Sequence, residues 1–184
     1  GTTLIVTQTN HDRSNNDAVR FYQVKDPVGG VAVSTFELNT TLATTITATD
    51  TSIVLTDGSE FPTSGYIVIE ATDTDTSSLQ YGKITSETIQ YTGRSTNTLT
   101  GCTRGTAAPS YGATPVSTTA AAHTSGAKIY GSYSITKIDE TRVDDAGTTV
   151  TFSNKFSFTL ASAATSIATG GGFFVFGGPV NDRS

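Results

Sequence analysis

Methionine and tryptophan are absent from this chain of 184 residues, cysteine occurs once, histidine twice and proline five times. A single cysteine cannot close an internal disulfide, so the fold carries no oxidative staple and fits synthesis in a reducing cytosol. Cys102, His11 and His123 lie far apart in the chain without zinc-ligand spacing, so no metal is expected. Charge is also scarce, at 15% of residues with a net −5 at neutral pH. That excludes the dense basic patch that a duplex nucleic acid or an anionic membrane surface requires. No apolar run approaches the roughly 20 residues of a membrane helix, the longest being Gly29–Val33 and Phe173–Phe176. A secretory leader is not seen, and the start at Gly1 without any methionine is read as a processed product or a fragment.

What the chain has instead is threonine, 37 residues of it, and 18 glycines. Threonine is β-branched, loses little when held in a strand, and keeps a strand's solvent face wet. The length allows one medium domain or two small ones with their own core. No apolar stripe of helical period and length occurs. AAPSYGATPVSTTAAAH is alanine-rich, but prolines and a glycine interrupt it. The expected class is all-β, an antiparallel sandwich-like or barrel-like domain.

Strands are expected at 2–9, 18–24, 31–38, 44–49, 52–56, 66–71, 79–84, 87–93, 97–103 and 127–130. DPVGG at 26–30 and GRST at 93–96 read as turns, and 105–126 as a long loop. Alternation returns in SYSITKID from 132, followed by a polar turn at 139–147 and the strand TTVTFSNKFSFTL. There Val150, Phe152, Phe156, Phe158 and Leu160 share one parity, as burial with a period of two requires. ASAATSIATGGG reads as a small-residue linker, and FFVFGG as a terminal apolar strand. Phe173, Phe174, Val175 and Phe176 are therefore expected in a core or a subunit interface.

Reactive residue types concentrate in LTGCTRG at 99–105. A catalytic Cys102 needs a base and a lowered pKa, and His123 is the one plausible partner. The other reading makes Cys102 a small buried hydrophobe at a strand end. Arg104 either grips a phosphate or carboxylate, or ties the carbonyls of its own turn and a nearby acid, with Glu87 as the candidate. Gly101 and Gly105 would supply positive φ or allow close backbone approach. His123 would close the same unit by bonding a backbone group. Two acidic groups, Asp73 with Asp75 and Asp139-Glu140 with Asp144-Asp145, lack the full EF-hand pattern and read as solvated turns. A glycosidase pair of Glu70 and Glu87 would need a cleft that nothing in the sequence indicates. There is no nucleophile elbow, P-loop or dinucleotide fingerprint, so no enzyme activity and no cofactor are expected.

FPTSGYIVIE, ETIQYTGRSTNTLTGCTRG and TTAAAHTSGAKIY together resemble a small β-module of tailed-bacteriophage and prophage virion proteins. Its outline falls here on Phe61, Pro62, Gly65, Glu87, Tyr91, Gly93, Leu99, Thr100, Gly101, Arg104, Gly105, His123 and Gly126. The resemblance covers about residues 44–130. The TDTDTSSLQYG stretch at 72–82 departs from it as an insertion, and APSYGATPVSTT lengthens the loop before His123. The flanks, 1–40 and 131–184, match no family. The resemblance implies a module, 41–130, inserted into a β-domain built jointly by 1–40 and 131–184. It also implies a virion structural protein, a capsid decoration (cement) or a tail or baseplate part, assembled in the host bacterial cytoplasm. Gly101, Arg104, Gly105, His123 and Gly126 would be its structural turn. Its partners would be other virion proteins and copies of itself, as a trimer or ring, with no nucleic acid and no membrane. The alternative is an adhesin domain stacking sugars on Tyr66, Tyr81, Tyr111 or Tyr133.

Overall fold

The computed structural model describes residues 2–9, 11–22, 37–72, 76–77, 79, 81–107, 116–161 and 174–177. Within them the chain is all-β, in antiparallel sheets without a helix. The strands are β1 (Thr3–Thr7), β2 (Ala18–Tyr22), β3 (Asn39–Thr41), β4 (Ser52–Val54), β5 (Gly65–Thr72) and β6 (Ile84–Tyr91). They continue with β7 (Gly93–Ser95), β8 (Thr98–Thr100), β9 (Lys128–Ser134), β10 (Thr136–Val143), β11 (Thr149–Thr159) and β12 (Phe174–Gly177).

The largest sheet runs β12-β2-β9-β5-β6, with β3 also paired to β9. β5 reads as a continuous apolar run because it is an inner strand covered on both faces, and Ile67, Val68 and Ile69 are all buried. Gly131, at the middle of β9, faces the Phe61 ring and the Leu38 side chain, where an added Cβ would lie 2.7 Å and 2.9 Å away. The sequence boundary between 130 and 131 falls inside β9, so one continuous strand pairs with β5 on one edge and with β2 and β3 on the other.

A second sheet, β1-β11-β10, meets the first through aromatic rings. Phe158 of β11 lies 4.5 Å from Phe21 of β2 and 4.9 Å from Tyr133 of β9, centroid to centroid. A third small sheet, β4-β8-β7, adds Ile53 and Leu99 to the same apolar cluster.

Several elements differ from the sequence expectation, each for a local reason. No strand forms at 44–49. Ile46 makes a single bridge to His123, and the Asp50 carboxylate accepts the Thr47 N–H and turns the chain. Residues 81–83 turn, and the strand begins only at Ile84. Gly93–Ser95 is strand, and the turn falls instead at Thr96 and Asn97, with Thr96 at φ +52°. β10 runs on through Asp139 to Val143, so the turn begins later, at Asp144. Its carboxylate accepts the N–H groups of Ala146 and Thr148.

The even parity of β11 does not hold to its end. Ile138 lies across from Lys155, but Glu140 lies across from Phe152, so β11 carries one extra residue there. Phe156, Phe158 and Leu160 are buried, whereas Phe152 and Val150 pass to the face of Lys155, and Val150 is exposed. The 31–36 part of an expected strand, Val24, the DPVGG turn and residues 162–172 of the linker lie outside the described residues.

Candidate functional site

Glu87 occupies an unusual place for a carboxylate. In β6 it is in phase with Ile89 and Tyr91, and it lies across from Ile69, so it points to the apolar face. It is 1% exposed. An ion there is tolerable only if it is paired and hydrogen-bonded, and the rest of the site supplies those partners.

Arg104 grips Glu87 with both arms of its guanidinium, Nε to Oε1 and Nη2 to Oε2, each at 2.8 Å. The Gly105 N–H donates to Oε1 at 2.9 Å and the Ala121 N–H to Oε2 at 3.1 Å. His123 Nε2–H donates to Oε2 at 2.7 Å. The remaining donors of Arg104 go to backbone carbonyls. Nη1 takes those of Thr47 and Asp50, and Nη2 takes that of Ala121. One carboxylate thus ties together β6, the Arg104 turn, the segment before His123 and the 47–50 turn. Burial raises the Glu87 pKa, but the bonds from His123, Arg104 and Ala121 prevail and hold it at about 2.

The glycines permit this convergence. Gly105 has φ +61°, and an added Cβ would sit 2.7 Å from the Ala120 nitrogen. Gly101, at φ +62°, abuts the Thr92 hydroxyl, and Gly126 turns the chain at φ +89° beside open space.

The structure therefore brings Glu87, Arg104, Gly105 and His123 into one contact, with Gly101 and Gly126 at the flanking turns. His123 departs from expectation: its ring bonds the Glu87 carboxylate and not a backbone group, because the carboxylate needs more donors than one arginine offers. Its Nδ1 is buried and has no hydrogen-bond partner among the described residues.

Cys102 is buried beside this cluster and shares no hydrogen bond with His123. Burial pushes its thiol up to about 11, against a smaller opposing pull from Arg104. Glu70 and Glu87 lie on opposite faces of the sheet, since Glu70 pairs with Ser86 and Ile69 with Glu87. Among the described residues no group of three acidic, histidine or cysteine side chains is placed to hold a metal ion. Asp139 pairs instead with Lys137, and Glu140 with Lys155. Asp73 and Asp75 lie outside the described residues.

Of the tyrosines considered for sugar stacking, Tyr133 is overturned. It is 1% exposed and packs edge-on to Phe21, because β9 turns it into the core. Tyr66 is partly buried, Tyr81 is exposed, and Tyr111 lies outside the described residues. Phe174, Val175 and Phe176 form β12 and pair with β2, whereas Phe173 lies outside the described residues.

His11, in the polar segment NHDRSNND at 10–17, is a second buried polar anchor. Its Nε2 bonds Ser153 Oγ at 2.8 Å and the Lys155 carbonyl at 3.0 Å, and its Nδ1 accepts the Arg13 N–H. The ring stands edge-on to Phe156. No signal local to NHDRSNND marks it, because both partners lie more than a hundred residues away in β11. No family model, curated protein or solved structure matches this chain.

Proposed function

We propose that this chain is a structural protein of a tailed-phage virion, a capsid decoration or a tail or baseplate part, that works by assembly and not by catalysis. The observation that carries the reading is the closure of the Glu87–Arg104–His123 cluster. The residues that carry the likeness to the virion module, Glu87, Arg104, Gly105 and His123, are spent on one another. A carboxylate and an imidazole make two members of a hydrolytic triad. The nucleophile belongs at Nδ1 here, since Nε2 already serves the acid. That nitrogen is buried and, among the described residues, hydrogen-bonds no hydroxyl or thiol. The one thiol is buried, and its raised pKa keeps it protonated at neutral pH. A cross-linked loop cluster of this kind holds several backbone segments rigid without a disulfide, which suits a part that must keep its shape while bound to neighbours.

The partners in this reading are other virion proteins and further copies of the chain, in the particle and, before assembly, in the host cytoplasm. The test is mass spectrometry and immuno-electron microscopy of particles purified from cells that produce the chain. A fixed stoichiometry with capsid or tail proteins is the expected result. Recovery of the chain only in particle-free fractions would overturn the proposal.

A further inference from the structure

The second sheet ends in a projecting ribbon. β1 covers β11 only over Lys155–Thr159, and the last bond on that side is Gln8 N–H to the Asn154 carbonyl. Among the described residues β10 and β11 continue beyond it as a pair alone, exposed at every residue from Thr141 to Thr151. Val143 is 68% exposed at its tip. Two strands by themselves are marginal in water, and an open edge is a template for another strand. β10 is that edge. It holds no proline, and the bulge that could blunt it lies in β11 instead.

The open stretch of this edge is bounded. At its start the Lys137 N–H is taken by Asn15 Oδ1, so the 11–17 loop covers the edge there. That bond also fixes which backbone groups face outward. Lys137 points its N–H away from β11, whereas Asp144 directs its own to Thr148 across the turn. Alternation then turns the N–H and C=O groups of Asp139, Thr141 and Val143 outward.

We infer that β10 pairs antiparallel with β10 of a second copy of this chain, about a two-fold axis at Thr141. Directly opposed residues of an antiparallel pair share a face, so the axis must pass at a residue. Within the open stretch, an axis at Asp139, Glu140 or Arg142 sets a charge against its own copy. An axis at Thr141 sets Glu140 against Arg142 and Arg142 against Glu140, with threonine on threonine between them. It also makes Asp139, Thr141 and Val143 the hydrogen-bonded positions, as their outward groups require. Opposite charges placed directly across strands favour this register, like charges disfavour an axis at Asp139, Glu140 or Arg142, and an axis at Val143 would run the pairing into the turn that starts at Asp144. The inference deepens the assembly reading, and rests on it for why the edge is left open.

The experiment is sedimentation analysis of the full chain and of E140R, R142E and E140R/R142E, with far-UV circular dichroism to verify each fold. The wild type is expected to dimerise. Each single variant sets like charges together twice and is expected to weaken dimerisation about tenfold or more. The double variant regains it, although E140R also loses the contact of Glu140 with Lys155. An equimolar mixture of the two folded single variants forms a heterodimer, because each then meets its opposite charge. A monomeric wild type, or single variants that dimerise as the wild type does, overturns the pairing. So does a mixture that stays monomeric. Recovery of the chain in particles under any of those results would leave the assembly reading intact. A β10 dimer that never enters a particle would refute the assembly reading alone.

Discussion

Replacing Glu87 with glutamine tests whether the buried cluster is the brace described above. The substitution keeps the shape and removes the charge. Five donors converge on the carboxylate, from Arg104 twice, Gly105, Ala121 and His123. A glutamine offers one oxygen and a donor amide. If the amide takes the Oε1 position, the bonds from Arg104 Nε and Gly105 N–H become donor against donor. Arg104, whose side chain is 6% exposed, is left without its counter-ion. Breaking a buried pair in this way costs about 3–5 kcal/mol. The titration gives a similar figure. A carboxyl lowered from 4.5 to about 2 in the folded state contributes about 3 kcal/mol. Because the folded pKa is the lower one, that contribution is complete above pH 4.5 and is lost as pH falls toward 2.

Urea denaturation of wild type and E87Q across pH 2–7 reads both effects. At pH 7 the variant is expected to be less stable by about 3 kcal/mol or more, roughly 6–12 °C in Tm for a chain of this size. The two curves should converge as the pH approaches 2. Asp50, Asp57 and Glu140 also have lowered pKa values, but they titrate in both proteins and cancel in the difference. A loss below about 1 kcal/mol at pH 7, or parallel curves down to pH 2, would refute the argument.

Three further outcomes follow from the same geometry. Cys102, buried and shifted to about 11, should react with Ellman's reagent at pH 7.5 only after guanidinium is added. Rapid labelling of the native protein would contradict its burial. Gly105→Ala should destabilise at least twice as much as Gly126→Ala. Both residues have positive φ, which costs about 1–2 kcal/mol, but only Gly105 would drive a methyl into backbone. Equal losses in thermal melts would count against the close approach at Gly105. Gly131→Ala should cost about 1–3 kcal/mol through overpacking against Phe61, and the pair Gly131→Ala with Phe61→Leu should recover part of it. Additive losses in the pair would refute that contact.

Much of this protein could be read locally. The strands at 18–24 and 66–71 follow from strand preference, which needs no knowledge of distant partners, whereas the burial of Val19 and Phe21 and the inner place of β5 come from the sheet. The Glu87–Arg104 contact was legible because both residues are out of keeping with their surroundings. One is an acid in phase with Ile89 and Tyr91, and the other is a cation between two glycines.

Local pattern misleads where a distant segment intervenes. Tyr133 looks like a loop aromatic until β9 is placed between β5 and β2. The parity of β11 looks unbroken until its register against β10 reveals the extra residue.

The sequence by itself determined the β class, most strands, the want of a disulfide and the residues fit to make an internal ion pair. These depend on backbone preference and on the chemistry of single side chains. Only the tertiary structure decided that His123 serves a carboxylate, that His11 is buried and that β10 is left as an open edge. Those facts depend on which strands lie side by side, and strand pairing is set by contacts between residues far apart in the chain.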